Sequence, residues 1–172
     1  MPVYTKNGDA GKTDLYGSTR VKKSVESVEV LGQLDELNAF LGMTRLLLRR
    51  TDSVKIAQIQ NDLFILGSVV AGVQFKSTAK NRLKEQIARM EQEIDALDKN
   101  LSVLRNFILP NGCESSARLH MARAICRRCE RSLVALGSHV GLVPYINRLS
   151  DYLFVLARFE NNRNKVSDEL VN

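Results

Sequence analysis

The stretch Pro144-Tyr145-Ile146-Asn147-Arg148-Leu149-Ser150-Asp151-Tyr152-Leu153-Phe154-Val155-Leu156 presents apolar side chains on most sides of a helix. Proline suits the first turn, where a backbone N–H would have no intrahelical partner. The pattern predicts a helix from Pro144 to about Arg163. A helix with so little polar surface belongs at the centre of a bundle or at a subunit interface. The rest of the chain must therefore supply helices to surround it.

It does so at helical spacing. Val28, Leu31, Leu34, Leu37 and Leu41 step by three or four and predict a helix over 24–49. Asp52-Ser53 offers N-cap chemistry for a second helix, with Ile56, Ile59, Leu63, Leu66 and Val70 on one face, fading near Gly72. Leu83, Ile87, Met90, Ile94 and Leu97 alternate steps of four and three, with charges around the remaining surface. Pro110-Asn111-Gly112 reads as a turn, and Glu114-Ser115-Ser116 opens a fourth helix to about Leu136. No strand-like alternation of any length is present. The expected fold is all-α: one domain over residues 1–172, with a loop-like N-terminal arm (1–23), a five-helix bundle (24–163) and a polar, disordered tail (164–172).

With 172 residues the chain can bury a substantial core, and no apolar run approaches the roughly 18 residues of a membrane span. The N-terminal residues lack the apolar block of a signal peptide. Three cysteines do not suggest a disulfide scaffold, and the chain reads as reduced and cytoplasmic. Twenty-five basic against 19 acidic residues leave a net charge of +6, which favours anionic partners. The charge is concentrated: lysines between Lys6 and Lys23, arginines between Arg118 and Arg131.

The first concentration falls in Thr5-Lys6-Asn7-Gly8-Asp9-Ala10-Gly11-Lys12-Thr13, a cationic loop rich in backbone N–H groups that can fold around a phosphate chain. The second places Arg123, Arg127, Glu130 and Arg131 on one face of the fourth helix. Asp35, Glu36 and Asn38 interrupt the first helix, and Asn147 and Asp151 stand one turn apart on the fifth. Buried charges without partners cost several kcal/mol, so pairing the carboxylates of the first and fifth helices with the arginines of the fourth is the cheapest arrangement. Spacing alone also fits a solvated charged face.

Six segments in order resemble the trimeric, five-helix ATP:cob(I)alamin adenosyltransferases, the corrinoid adenosyltransferases. They are Tyr4 to Thr13, Leu34-Asp35-Glu36-Leu37-Asn38, Ile59-Gln60-Asn61-Asp62-Leu63-Phe64, Phe107-Ile108-Leu109-Pro110, Ala122 to Arg131, and Tyr145 to Asp151. Asn7 stands where that family usually has threonine, and Cys129 where it usually has a small residue. The resemblance implies transfer of the 5′-deoxyadenosyl group of ATP to cobalt(I) of a corrinoid, giving adenosylcobalamin and triphosphate. Cobalt(I) is itself a strong nucleophile, so the protein's tasks would be positioning and stabilising a departing polyanion.

Residue by residue, the resemblance implies an ATP-binding arm of Thr5, Lys6, Asn7, Gly8, Thr13, Asp14 and Lys23. It implies a nucleotide site on the fourth helix at Arg127, Arg128, Glu130 and Arg131, with Asn147 from the fifth. Arg123 and Asp35 correspond to a salt bridge that shapes the site between subunits. Phe107 corresponds to an aromatic beside the corrin that helps exclude the lower cobalt ligand. Arg127, Lys6 and Phe107 are thus the residues implied to carry catalysis. Mg2+ is implied on the triphosphate, with no protein metal ligands. A homotrimer, an electron donor for cobalt and an adenosylcobalamin-dependent acceptor enzyme are the implied partners, with neither membrane nor nucleic acid.

Other signals carry less. Gly11-Lys12-Thr13 looks like the end of a P-loop, but Lys6 occupies the earlier glycine position and no apolar strand precedes it. Cys126 and Cys129 share a helix without a second pair, as ordinary packing would have it. His120 and His139 read as structural or exposed. The rival functions are a basic helical nucleic-acid-binding module, whose binding would weaken steeply with salt, and a non-catalytic adenosylcobalamin carrier, which would release no triphosphate.

Overall fold

The computed structural model describes Tyr4 and residues 6–17, 20–137 and 139–171. Five long helices run in chain order: α1 (Glu26–Thr44), α2 (Arg50–Val70), α3 (Ser77–Asp98), α4 (Glu114–Leu136) and α5 (Val143–Arg163). By neighbour contacts the helices follow the order α2, α1, α4, α5, α3. The ring closes through ion pairs between α2 and α3, Lys55–Glu93 at 3.1 Å and Asp62–Arg82 at 2.7 Å.

The apolar fifth helix is central, as its composition demands. Tyr145, Ile146, Leu149, Tyr152, Leu153 and Leu156 are buried against Leu119, Ile125 and Leu133 of α4 and Leu83 and Met90 of α3. Pro144 occupies its first turn. α4 stops at Gly137, whose φ of 67° gives the left-handed cap that glycine adopts without steric cost.

Four expectations change. α1 is shorter than predicted: it ends at Thr44, passes into a single 3-10 turn (Arg45–Leu47), and breaks where Leu48 becomes extended. Asp52 does not cap α2, which already begins at Arg50. Its carboxylate lies in the first turn and pairs with Arg163 of α5 at 3.2 Å. The arm is not wholly loop, because Lys12–Asp14 (β1) and Arg20–Lys22 (β2) form an antiparallel hairpin with Thr13 opposite Val21. These three-residue strands are mostly exposed and polar, so they leave no apolar alternation to read. The segment after Arg163 does not trail into solvent: Ile108 and Leu170 form an antiparallel bridge.

Two motif segments prove architectural. Asn38 and Gln60 clasp α1 to α2: the Asn38 carboxamide donates to the Gln60 carbonyl (3.2 Å) and accepts from the Gln60 carboxamide (2.9 Å). Asp62, wholly buried, accepts from Arg82 and, at 3.0 Å, from the Tyr145 hydroxyl. Burial and the adjacent Asp62 push the Tyr145 hydroxyl well above its ordinary pKa, so it remains a donor.

Candidate active site

α4 turns its arginines along one edge of its packing with α5. Arg127, Glu130, Arg131 and Val134 of α4 line a hollow of about 470 Å³ with Asn147 of α5. The Asn147 carboxamide donates to Glu130 at 2.8 Å, holding that carboxylate in the hollow with Arg127 and Arg131. Beside it lies a larger cleft of about 890 Å³, lined by Arg123, Arg127, Asp151, Phe154, Phe107 and Val171 among others. Arg127 belongs to both. One guanidinium therefore stands between a polar, cationic hollow and a broad cleft with apolar walls.

Arg123 is the unusual member of this face. Its Nε is buried without a hydrogen-bond partner among the described residues, and its guanidinium lies over the Phe154 ring at 5.8 Å. Burial, and then the charge of Arg127, lower its pKa. An unsatisfied buried donor costs about 1–3 kcal/mol. His120, one turn back, packs edge-on to the same ring at 6.0 Å, and neither of its nitrogens has a partner among the described residues. Burial, reinforced by Arg123, lowers its pKa to about 4, so it is neutral near pH 7.

Among the described residues, the expected pairing of first- and fifth-helix carboxylates with α4 arginines is realised at Arg128 alone, which pairs with Glu36 of α1. Asp151 pairs within its own helix with Arg148 (2.8 Å), which also holds Glu91 of α3. The Arg123–Asp35 bridge is not formed inside one protomer. Asp35 is exposed on α1, in a groove with Leu31, Leu63 and Phe64, and Phe64 itself is largely exposed.

In the arm, Lys23 donates its backbone N–H to the Gly11 carbonyl at 2.9 Å, and its ammonium lies close to Gly8. Asp14 pairs with Arg20, which also reaches the Asn7 carbonyl. Lys6 has a φ of 59°, a left-handed conformation uncommon in a non-glycine residue. The Tyr16 backbone N–H donates to the Ala71 carbonyl at 3.0 Å, tying the hairpin turn to the C-terminus of α2. Lys6, Asn7, Gly8, Thr13, Asp14 and Lys23 are thus gathered on one arm, but none lines either hollow of the protomer. Thr5 lies outside the described residues.

A Cobalamin adenosyltransferase family model matches residues 3–160. The chain belongs to this family. It is 40% identical to corrinoid adenosyltransferase PduO of Salmonella typhimurium, the match covering 94% of this chain and 50% of that protein. It is 38% identical to a corrinoid adenosyltransferase of Bacillus subtilis, covering 98% and 91% of the two chains. The chain spans about half the length of the Salmonella and Citrobacter PduO relatives it matches. Among solved structures it resembles a phenylalanine-to-alanine variant of the PduO-type ATP:corrinoid adenosyltransferase from Lactobacillus reuteri, complexed with cobalamin and ATP. That match has a TM-score of 0.91 at 32% identity and covers 99% of both chains. An arginine-to-lysine variant of the same protein, complexed with ATP, matches with a TM-score of 0.88 at 32% identity, covering 99% of this chain and 100% of that one.

In this family member the two cysteines of α4 are buried and free. Burial pushes both thiols up, Cys129 to about 12, and the Cys126 thiol donates to the Ile146 carbonyl at 3.2 Å. Among the described residues no group of three or more His, Cys, Asp or Glu is placed to hold a metal ion. Sequence reasoning missed His120 as a neighbour of the cleft, and it missed Arg158 and Asn161. Their signal was available: Arg158, Glu160 and Asn161 are polar residues buried on the otherwise apolar α5, as Asn147 and Asp151 are polar residues on it.

Proposed function

We propose that this protein transfers the 5′-deoxyadenosyl group of ATP to cobalt(I) of a corrinoid, with ATP in the arginine hollow and the corrinoid in the adjoining cleft. The observation that carries the reading is Arg127, shared by an arginine-lined hollow of about 470 Å³ and an adjoining cleft of about 890 Å³ with apolar walls. The cobalt(I) electron pair attacks the ribose 5′-carbon. A cobalt–carbon bond forms, the C5′–O bond breaks, and triphosphate leaves with the bonding pair.

Charge on the leaving triphosphate develops against Arg127 and Arg131, which line the hollow, with Arg128, paired to Glu36, next along the helix. Glu130 and Asn147 hold that face in register. Mg2+ would ride on the phosphate oxygens and water, neutralising charge, since among the described residues Glu130 is the one carboxylate lining the hollow. Phe107, at the cleft mouth, keeps a lower axial ligand away from cobalt, which makes cobalt(II) easier to reduce.

The arm completes the ATP site from a neighbouring subunit. Lys6, Asn7, Gly8, Thr13, Asp14 and Lys23, together with Thr5, would close over the phosphates in a homotrimer, where Asp35 of one protomer meets Arg123 of the next. This arrangement supplies a carboxylate to Arg123, whose Nε has no hydrogen-bond partner among the described residues. An electron donor and an acceptor enzyme for the product complete the partners. Three free thiols fit a reducing, cytoplasmic setting. No helix among the described residues is long and apolar enough to cross a membrane.

Anaerobic incubation with ATP and chemically reduced cob(I)alamin tests the reading. Adenosylcobalamin and triphosphate should appear in equal amounts. Tight corrinoid binding without triphosphate would instead make the protein a carrier.

A further inference from the structure

Phe107 is carried on an irregular connection between α3 and α4, and it is 87% exposed. A solvent-facing aromatic on such a loop has no packing of its own to fix its direction. Its backbone, however, is tied at both ends and in the middle. α5 holds the ends: Arg158 donates to the Ser102 carbonyl at 2.7 Å, and Asn161 donates to the Asn111 carbonyl at 3.2 Å. Asn161 also accepts the Cys113 N–H at 3.0 Å, and Gly112 passes this carboxamide so closely, at a φ of 121°, that a side chain there would collide with it.

The middle is held by the polar C-terminal segment. Lys165, with a φ of 58°, turns the chain back after α5. Val171 then donates to the Phe107 carbonyl at 2.9 Å, and Leu109 donates to the Glu169 carbonyl at 2.8 Å. Phe107 and Val171 both line the large cleft. Two side chains anchor the segment: Glu169 accepts from the Asn111 carboxamide, and Asp168 ties it to α5. Asp168 accepts from Arg158 Nε at 2.8 Å and from Asn161 at 3.3 Å, the same two residues that hold the loop ends. Arg158 is only 3% exposed, so its geometry is set by the core of the bundle.

We infer that residues 166–171 form a latch that aims Phe107 into the cleft, and that Asp168 is the positioning residue that locks it. The inference rests on the reading of the cleft as the corrinoid site. Asp168 touches neither substrate; it acts through the two backbone hydrogen bonds that pair the segment with Phe107 and Leu109. Releasing Asp168 frees the segment, and with it the strand that gives Phe107 its direction. The consequence is specific to cobalt(II). Cobalt(I) carries no lower ligand to exclude, so chemically reduced substrate should bypass the latch.

The test uses Asp168→Asn, a chain ending at Lys165, and the unaltered protein, each with ATP and cob(II)alamin. Electron paramagnetic resonance reads the four-coordinate cobalt(II) fraction, calorimetry reads ATP affinity, and turnover is measured with cob(II)alamin plus a reductant and with pre-formed cob(I)alamin. In both variants the four-coordinate fraction and the cob(II)alamin-dependent rate should fall about tenfold or more, the scale on which small misplacements act. ATP affinity and the cob(I)alamin rate should stay within about threefold, a split that general unfolding would not give. Equal losses with both corrinoid states, or an unchanged four-coordinate signal, would overturn the latch. Amide hydrogen exchange gives a readout independent of activity, and Leu109 should lose protection in both variants. Unchanged protection there would also overturn it. If the unaltered protein made no adenosylated product, the proposed reaction would fall while the exchange result still judged the latch.

Discussion

Asp62 and Arg123 are both charged groups turned into the helical bundle, and the protein treats them in opposite ways. Asp62 is wholly buried with both oxygens engaged, one by Arg82 and one by Tyr145. Arg123 keeps a buried Nε without a partner and lies beside a second arginine that lowers its pKa. The first is charge resolved within the chain, and it joins α2, α3 and α5. The second is charge left unresolved within one protomer, on the face that carries Arg127. Fully paired buried charge marks architecture here, and a half-buried guanidinium with an unpartnered Nε among the described residues lies on the face proposed as the site.

That contrast can be broken or sharpened by substitution. Arg127→Ala should lower kcat by about 10²–10³ while leaving helicity and melting temperature near wild type, because its guanidinium acts on the departing polyanion. Normal turnover in this variant would remove the site from α4. Arg82→Ala should do the reverse. It strips the charge partner from a buried carboxylate and should cost about 3 kcal/mol in denaturant unfolding, with kcat per folded molecule little changed.

The pH dependence tests the cleft side of the comparison. His120 is held neutral, with its pKa lowered from 6.5 to about 4. Between those values the unfolded chain binds a proton that the folded chain refuses, so stability rises with pH. Acidifying from pH 6.5 to about 4 should therefore cost on the order of 3 kcal/mol from this group. His120→Gln should flatten that part of the profile, and an unchanged slope would assign the acid sensitivity elsewhere. A smaller effect is expected across subunits. Arg123→Met and Asp35→Asn should show a coupling of about 1–2 kcal/mol in a double-mutant cycle on trimer stability. Strict additivity would mean that the two residues never meet.

Much of this was legible before any coordinates. The α3 stripe from Leu83 to Leu97 and the greasy α5 repeat at helical spacing, and burial is what that spacing encodes. The arginine face of α4 was legible for the same reason. The hairpin was not, because Lys12–Asp14 and Arg20–Lys22 are too short and too polar to alternate. Nor was the fate of Asp52, whose cap-like sequence context is overridden by Arg163, 111 positions away. The C-terminal segment looked disordered because it is polar, yet its order comes from Asp168 meeting Arg158 and from backbone hydrogen bonds that carry no sequence signal.

The central claim is that the arm of one subunit and the arginine face of another make one ATP site. Mixing Lys6→Ala protein with Arg127→Ala protein, after subunit exchange, tests it most directly. Each variant alone should be nearly inactive. In a random trimer about a quarter of the sites should combine an intact arm with an intact arginine face, so close to a quarter of the wild-type rate should return. If the mixture stays as inactive as its components although subunits have exchanged, arm and arginines serve the same chain and the account is contradicted.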